Sequence, residues 1–224
     1  MHQPKKVAIL AYPNLCLFEF SCALEVFAQH RPEFSEQHYT TSVCAVERSH
    51  NISLPVQGLA LNTAEGLDKL SSADLIVILG WQGADIQPSE TLRNHLLQAY
   101  ENGTRIASIC SGVNLLAYCG LLKDQVATTH WRYTEIAKTK FPDICFNENV
   151  LYTDNGQILT SAGSAAGLDM CLHIVKKDYG QHVANAYARR LVIPPYREGG
   201  KHSLSNNLFL SIPITLNFPH CYLN

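Results

Sequence analysis

Residues 104–122, TRIASICSGVNLLAYCGLL, carry an apolar strand-like run into a helical pattern, with Cys110 at the junction. The neighbours of that cysteine are small: Ala107, Ser108, Ser111 and Gly112. In an α/β sheet, sites collect at the carboxyl ends of strands, where the chain turns into the next helix. A side chain held at so sharp an elbow needs small residues around it, and this stretch supplies them. The following helix would aim free N–H groups and its positive end at the sulfur, which predicts a thiolate. The competing reading is a small buried apolar filler, the common fate of cysteine. That reading suits Cys119, nine residues further into the helical pattern, and also Cys16, Cys22, Cys44, Cys145 and Cys171.

The same alternation extends outward along the chain. KVAILAY (6–12) reads as a buried strand, and LFEFSCALEVFAQH (17–30) as a helix with Leu17, Phe20, Leu24 and Phe27 on one side. YTTSVCAVE (39–47) is a second strand. ADLIVILG (73–80) is apolar without alternation, as expected of a strand covered on both faces. SETLRNHLLQAYENG (89–103) is a helix with a serine start and a glycine stop. Within 144–160, two short alternating runs meet at Asp154-Asn155-Gly156, a hairpin signal because Asn-Gly supplies positive φ angles. Residues 164–180 and the segment after them are helical until Pro194-Pro195. Strand–helix alternation of this kind implies an α/β fold, a mostly parallel sheet with helices on both faces.

Composition excludes several classes. Hydrophobic residues are 46% and charged residues 16%, a chain with a packed core. A net charge of −2 gives no whole-chain attraction for nucleic acid. The local basic group Lys176, Lys177, Arg189, Arg190, Arg197 and Lys201 reads as a solvated helix face. No stretch approaches the roughly 20 apolar residues of a membrane helix, and MHQPKKVAIL has no leader pattern. Eight cysteines without a CxxC pair point to reduced thiols in a cytoplasm. Ten histidines form no HExxH and no zinc spacing, so no metal and no cofactor are expected.

Three further features bear on Cys110. LGWQGAD (79–85) closes a strand with Gly80, Trp81 and Gly83; the glycine amides either face the pocket as oxyanion donors or form a plain tight loop. Glu19 lies between Phe18 and Phe20 in an apolar helix opening. Pointing inward, it would be protonated by desolvation and bond the sulfur; pointing outward, it is an ordinary first-turn acid. His130, in VATTHWRY, is either a base or the edge of the next helix.

Taken together, ASICSGVNLLAYCGLL, GWQGAD, ATTHWRY, LYTDNGQILTSAGSAAGLDMCLHIV and ARRLVIPPYREGG resemble the PfpI-like, class I glutamine amidotransferase-like superfamily. The closer resemblance is to the sensor domain preceding the AraC-type DNA-binding domain of GlxA- and FtrA-type bacterial transcriptional regulators. It covers residues 5 to about 200 and implies a flavodoxin-like three-layer sandwich with a nucleophile-elbow cysteine at Cys110 and its acidic partner at Glu19. With it come His130 as a further catalytic candidate, and Gly80, Trp81, Gly83, Ser111 and Gly112 as ligand-binding or oxyanion residues. It further implies a small-molecule metabolite as ligand, a homodimer, and DNA contact only through a C-terminal domain. Residues 201–224 look unlike such a domain, and a truncated regulator is the expectation. They read as an edge strand or a segment without a partner in this chain. No His-x-Glu occurs, so glutamine hydrolysis by a Cys-His-Glu triad is disfavoured. The enzymatic alternative is a cysteine-dependent hydrolase or hydratase like the isonitrile hydratases, whose acid is often Asp. A third reading is a thiol that senses redox by reversible oxidation.

Overall fold

The run KKVAILA forms β1 (Lys5–Ala11), and the helical pattern after it forms α1 (Leu17–Phe27). β2 (Tyr39–Ala45), β3 (Asn51–Ser53) and β4 (Ala60–Asn62) follow, then a 3₁₀ turn at Leu67–Ser72 and β5 (Leu75–Ile78). After α2 (Glu90–Glu101) comes β6 (Arg105–Ile109), then a 3₁₀ turn at Cys110–Gly112 and α3 (Val113–Tyr118). β7 (Val126–Ala127), α4 (Thr134–Lys140), β8 (Cys145–Phe146), β9 (Tyr152–Asp154), β10 (Ile158–Ser161) and α5 (Ala165–Arg190) complete the order. This computed structural model describes residues 3–47 and 51–197. The 201–224 segment and Lys201 lie outside the described residues.

Six strands make the main sheet, in the order β2-β1-β5-β6-β10-β9. β1, β2, β5, β6 and β10 run parallel, and β9 runs antiparallel to β10. β5 (LIVI) is buried at every position, as a strand covered on both faces requires. α1 and α5 pack on each other, while α2 sends Leu92, Leu96 and Ala99 into the same core. Ser89 caps α2 by accepting the Leu92 N–H at 3.2 Å. α5 breaks helical geometry at Gly180 (φ 86, ψ 171) and then resumes.

At the amino-terminal ends of the strands one buried acid ties the layers together. Asp178 of α5 accepts from Lys5 at 2.7 Å, from Arg105 at 2.8 Å and from the Tyr39 hydroxyl at 3.0 Å. Burial pushes its carboxyl up, but the two cations outweigh that and hold it below the usual carboxylate range.

Three expectations need correction. The helix after Cys110 is only six residues long and starts beyond a 3₁₀ turn. The hairpin exists, with Leu159 opposite Asp154 and Gly156 at φ 90, but it joins only β9 and β10. The first alternating run divides: β8 leaves it to pair with β7 in a separate small sheet, because β10 already has β6 as its other partner. Among the cysteines, Cys22, Cys44, Cys119 and Cys171 are buried, but Cys16 is half-buried and Cys145 exposed. Cys16 sits before the buried stripe of α1 begins, and Cys145 lies on a two-residue strand.

Candidate functional site

At the carboxyl ends of β5 and β6, Cys110 occupies the left-handed region, φ 57, which a non-glycine residue adopts only when its surroundings enforce it. The elbow is enforced from several sides. The Thr129 hydroxyl donates to the Cys110 carbonyl at 2.8 Å, and Ser111 Oγ donates to the Trp81 carbonyl at 3.0 Å. Gly112 passes so close to the next strand end that a Cβ there would meet the Leu79 carbonyl at 2.4 Å. Behind the cysteine, a Cβ on Gly163 would lie 2.9 Å from Sγ. Small residues at this junction are therefore a steric requirement.

Glu19 points inward. Its residue is 2% exposed, because the buried stripe of α1 runs through Glu19, Phe20, Cys22, Ala23, Val26 and Phe27. That stripe keeps Phe20 and Phe27 from the expected apolar side and leaves Leu17 and Leu24 only partly covered. One carboxylate oxygen accepts the Gly80 N–H at 2.8 Å, the other the Ser164 N–H at 3.2 Å. Ser164 itself is at φ 49, a second enforced residue at the site. Gly80 thus spends its amide on Glu19, which explains how a buried acid is tolerated without a cation.

Glu19 and Cys110 are hydrogen-bonded to each other. Burial raises the Glu19 carboxyl above its ordinary value, against the lowering effect of the Gly80 and Ser164 amides and the thiol. Burial also raises the Cys110 thiol, and the Glu19 charge raises it further, while the Ser111 N–H pulls it down. Burial and the neighbouring acid both work against the thiolate that a helix end would favour. The helix that would favour it is short and begins beyond a 3₁₀ turn.

The remaining candidates are spread around this pair. Trp81 is buried edge-on against Tyr12 at 4.9 Å, its indole N–H donating to Ile86 at 2.6 Å. Gly83 lies in the same loop, its carbonyl accepting from Ile86. His130 precedes α4, as the edge-of-helix reading has it: its Nδ1 accepts the Arg132 N–H at 3.3 Å, and its ring lies against Trp131 and Tyr133. Sequence reasoning missed Gly163, Ser164, Thr129, Tyr12 and Tyr133. Charges on Cys110 and Glu19 act on Tyr12 and Tyr133, and Tyr12 donates to the Gly80 carbonyl at 3.1 Å. The YPN segment after the first strand and the SAGSAAG run could have signalled Tyr12, Gly163 and Ser164, as turns beyond apolar strands, while Thr129 and Tyr133 flank His130 in VATTHWRY. Among the described residues no cluster of three His, Cys, Asp or Glu side chains could hold a metal, and no helix is long and apolar enough to cross a membrane.

A model of the DJ-1/PfpI family matches residues 5–177. The HTH-type transcriptional regulator GbdR of Pseudomonas aeruginosa is 26% identical over 208 residues, 89% of this chain and 53% of the regulator. The chain therefore spans about half the length of that curated relative. An isonitrile hydratase of Pseudomonas putida is 27% identical over 150 residues, 63% of each protein. Among solved structures, an AraC family transcriptional regulator from Pseudomonas putida superposes with a TM-score of 0.72 at 17% identity, covering 84% of this chain and all of that one. That last likeness establishes the fold, a mostly parallel sheet with helices.

Proposed function

The chain belongs to the DJ-1/PfpI family, and from that premise we propose that it is the ligand-sensing domain of an AraC-type bacterial transcriptional regulator. One observation carries the reading: the half-buried Cys110 is held at a rigid elbow, hydrogen-bonded to buried Glu19. Such a site offers a donor and an acceptor to a small polar molecule, and burial beside an acid disfavours the ionised nucleophile that turnover would need. The similarity to a helix-turn-helix regulator over 89% of the chain supports the regulatory setting. In this reading a homodimer binds a small nitrogenous metabolite, and DNA is met by a separate domain.

The test is thermal unfolding against a panel of amines, amides and isonitriles, with each compound assayed for consumption. The expected result is saturable stabilisation without turnover, about 2.7 kcal/mol at a hundredfold excess over Kd. Consumption of an isonitrile by wild type, abolished in Cys110→Ser, would overturn sensing in favour of a hydratase. That second reading rests on the isonitrile hydratase relative and on the thiol–acid pair it would use.

A further inference from the structure

Beyond α5 the chain turns at Val192, φ 55, passes Pro194-Pro195, and brings Arg197 back to Asp169, 28 positions earlier. Arg197 Nε donates to both carboxylate oxygens of Asp169, at 2.9 and 3.1 Å, and Nη2 donates to the second as well. The Asp169 side chain is 9% exposed, and an acid so covered needs its cation. Arg197, grouped in the sequence with a solvated helix face, is therefore an anchor. A cavity of about 190 Å³ lies beneath the arm, lined by Pro195, Tyr196 and Arg197 and by Tyr152, Leu172 and His173 of the domain. Pro194, Pro195 and Tyr196 are exposed, so residues 194–197 span a hollow and can detach without unfolding the core.

The opening turn of α5, which carries Asp169, also closes the thiol site. Ser164 gives its N–H to Glu19 at 3.2 Å, and Gly163 backs Cys110, with 2.9 Å between Sγ and an added Cβ. The Gly163 and Ser164 carbonyls accept the Ala166 and Gly167 N–H groups, each at 3.0 Å. Gly167 presses on Ile109, the residue before Cys110: a Cβ there would lie 2.9 Å from Ile109 Cγ2. One turn thus meets Glu19, Cys110 and Ile109 at its start and Arg197 at its end. Tightly packed segments of this kind shift as units and do not bend.

We propose that residues 194–197 are a latch, coupled to the thiol site through the opening turn of α5. With Arg197 on Asp169, the turn is pinned against Cys110. A ligand that draws Glu19 away from the Ser164 N–H moves the turn and loosens the latch. The arm lies beyond residues 5–177 matched by the family model, and its release carries the state of the pocket to a DNA-binding part. That role rests on the sensing reading; the coupling between arm and thiol does not. Coupling is reciprocal, so freeing the latch must also loosen the wall behind Cys110.

The full chain is labelled with iodoacetamide at neutral pH and each cysteine is read by mass spectrometry, beside hydrogen exchange across residues 191–197. Arg197→Ala and Asp169→Asn should each speed exchange in the arm and label Cys110 about fivefold faster or more, the lower end of ordinary site coupling. The double variant should label no faster than either single one, since both break the same bond. Exposed Cys145 should keep its wild-type rate in all three, and Lys176→Ala, at the same cavity, should match wild type throughout. Faster arm exchange with Cys110 at its wild-type rate would overturn the coupling, whatever a ligand panel returns. Additive effects, or an arm no looser without Arg197, would overturn the latch itself. Should Asp169→Asn fold poorly, Arg197→Ala, at a side chain 37% exposed, decides alone. A panel without a stabilising compound would end the sensing reading and leave the labelling result standing.

Discussion

A single methyl group added at Gly163 separates steric closure of the thiol site from ordinary backbone strain. Gly163 sits at φ +84, and an added Cβ would lie 2.8 Å from Cys110 Cβ, 2.9 Å from Sγ and 3.2 Å from Cα. Gly103 has nearly the same backbone, φ +86, with nothing within 4 Å of an added Cβ. Both alanine variants carry the left-handed penalty, roughly 1–2 kcal/mol. Only Gly163→Ala adds the overlap, and Cys110 cannot retreat without breaking the Thr129 and Ser111 bonds that hold the elbow. Overpacking of a closed site costs typically about 1–3 kcal/mol. Gly163→Ala should therefore lose about 1–3 kcal/mol more than Gly103→Ala in urea unfolding, with the midpoint moving and the slope unchanged. In a thermal scan each kcal/mol appears as roughly 2–4 °C for a chain of this size. Equal losses in the two variants, within about 0.5 kcal/mol, would refute the view that the wall behind Cys110 is tight.

Two further outcomes follow from charges. Asp178→Asn leaves Lys5 and Arg105 facing a neutral group; since Lys5 is partly in solvent, the loss should fall near the lower end of the range for a broken buried pair, about 3 kcal/mol. The folded carboxyl is depressed, so its contribution is present above the unfolded value near about 3.9 and fades as pH falls through the lower folded value. Urea midpoints between neutral pH and pH 3 should therefore drop more steeply in wild type than in Asp178→Asn, and parallel acid limbs would contradict this. At the thiol, Glu19→Gln removes a charge that raises Cys110, so the pH midpoint of iodoacetamide labelling should move down. A midpoint that moves up would refute this and show that Glu19 favours the thiolate.

How far the sequence could be read depended on the range of the interaction. The elbow was legible because its small residues are Cys110's own neighbours, and the parallel strands because LIVI and KVAILA are uninterrupted apolar runs. Glu19 was legible as an oddity, an acid between two phenylalanines, but its direction was not. Direction is set by the rotation of the buried stripe of α1 and by amides arriving from Gly80 and Ser164. The closeness of Gly163 to Cys110 is a tertiary contact that no local pattern encodes. The electrostatic setting of the thiol escapes the sequence for a related reason. A helix dipole can be anticipated from a helical pattern, whereas burial beside an acid emerges only when α1 and β6 meet. β8 defected from the expected hairpin because a two-residue strand carries too little pattern to choose its partner.

The two N–H groups on Glu19 come from residues 61 and 145 positions away along the chain, one just beyond β5 and the other preceding α5. A single side chain thus works as a tie rod across three segments. Aspartate, one methylene shorter, cannot reach both amides unless the first turn of α1 moves. Glutamine keeps the reach but sets an amide NH₂ against one of the donors. The residue type at this position is consequently fixed twice, once by whatever proton chemistry Cys110 performs and once by architecture. Loss of the chemistry alone would leave the glutamate in place.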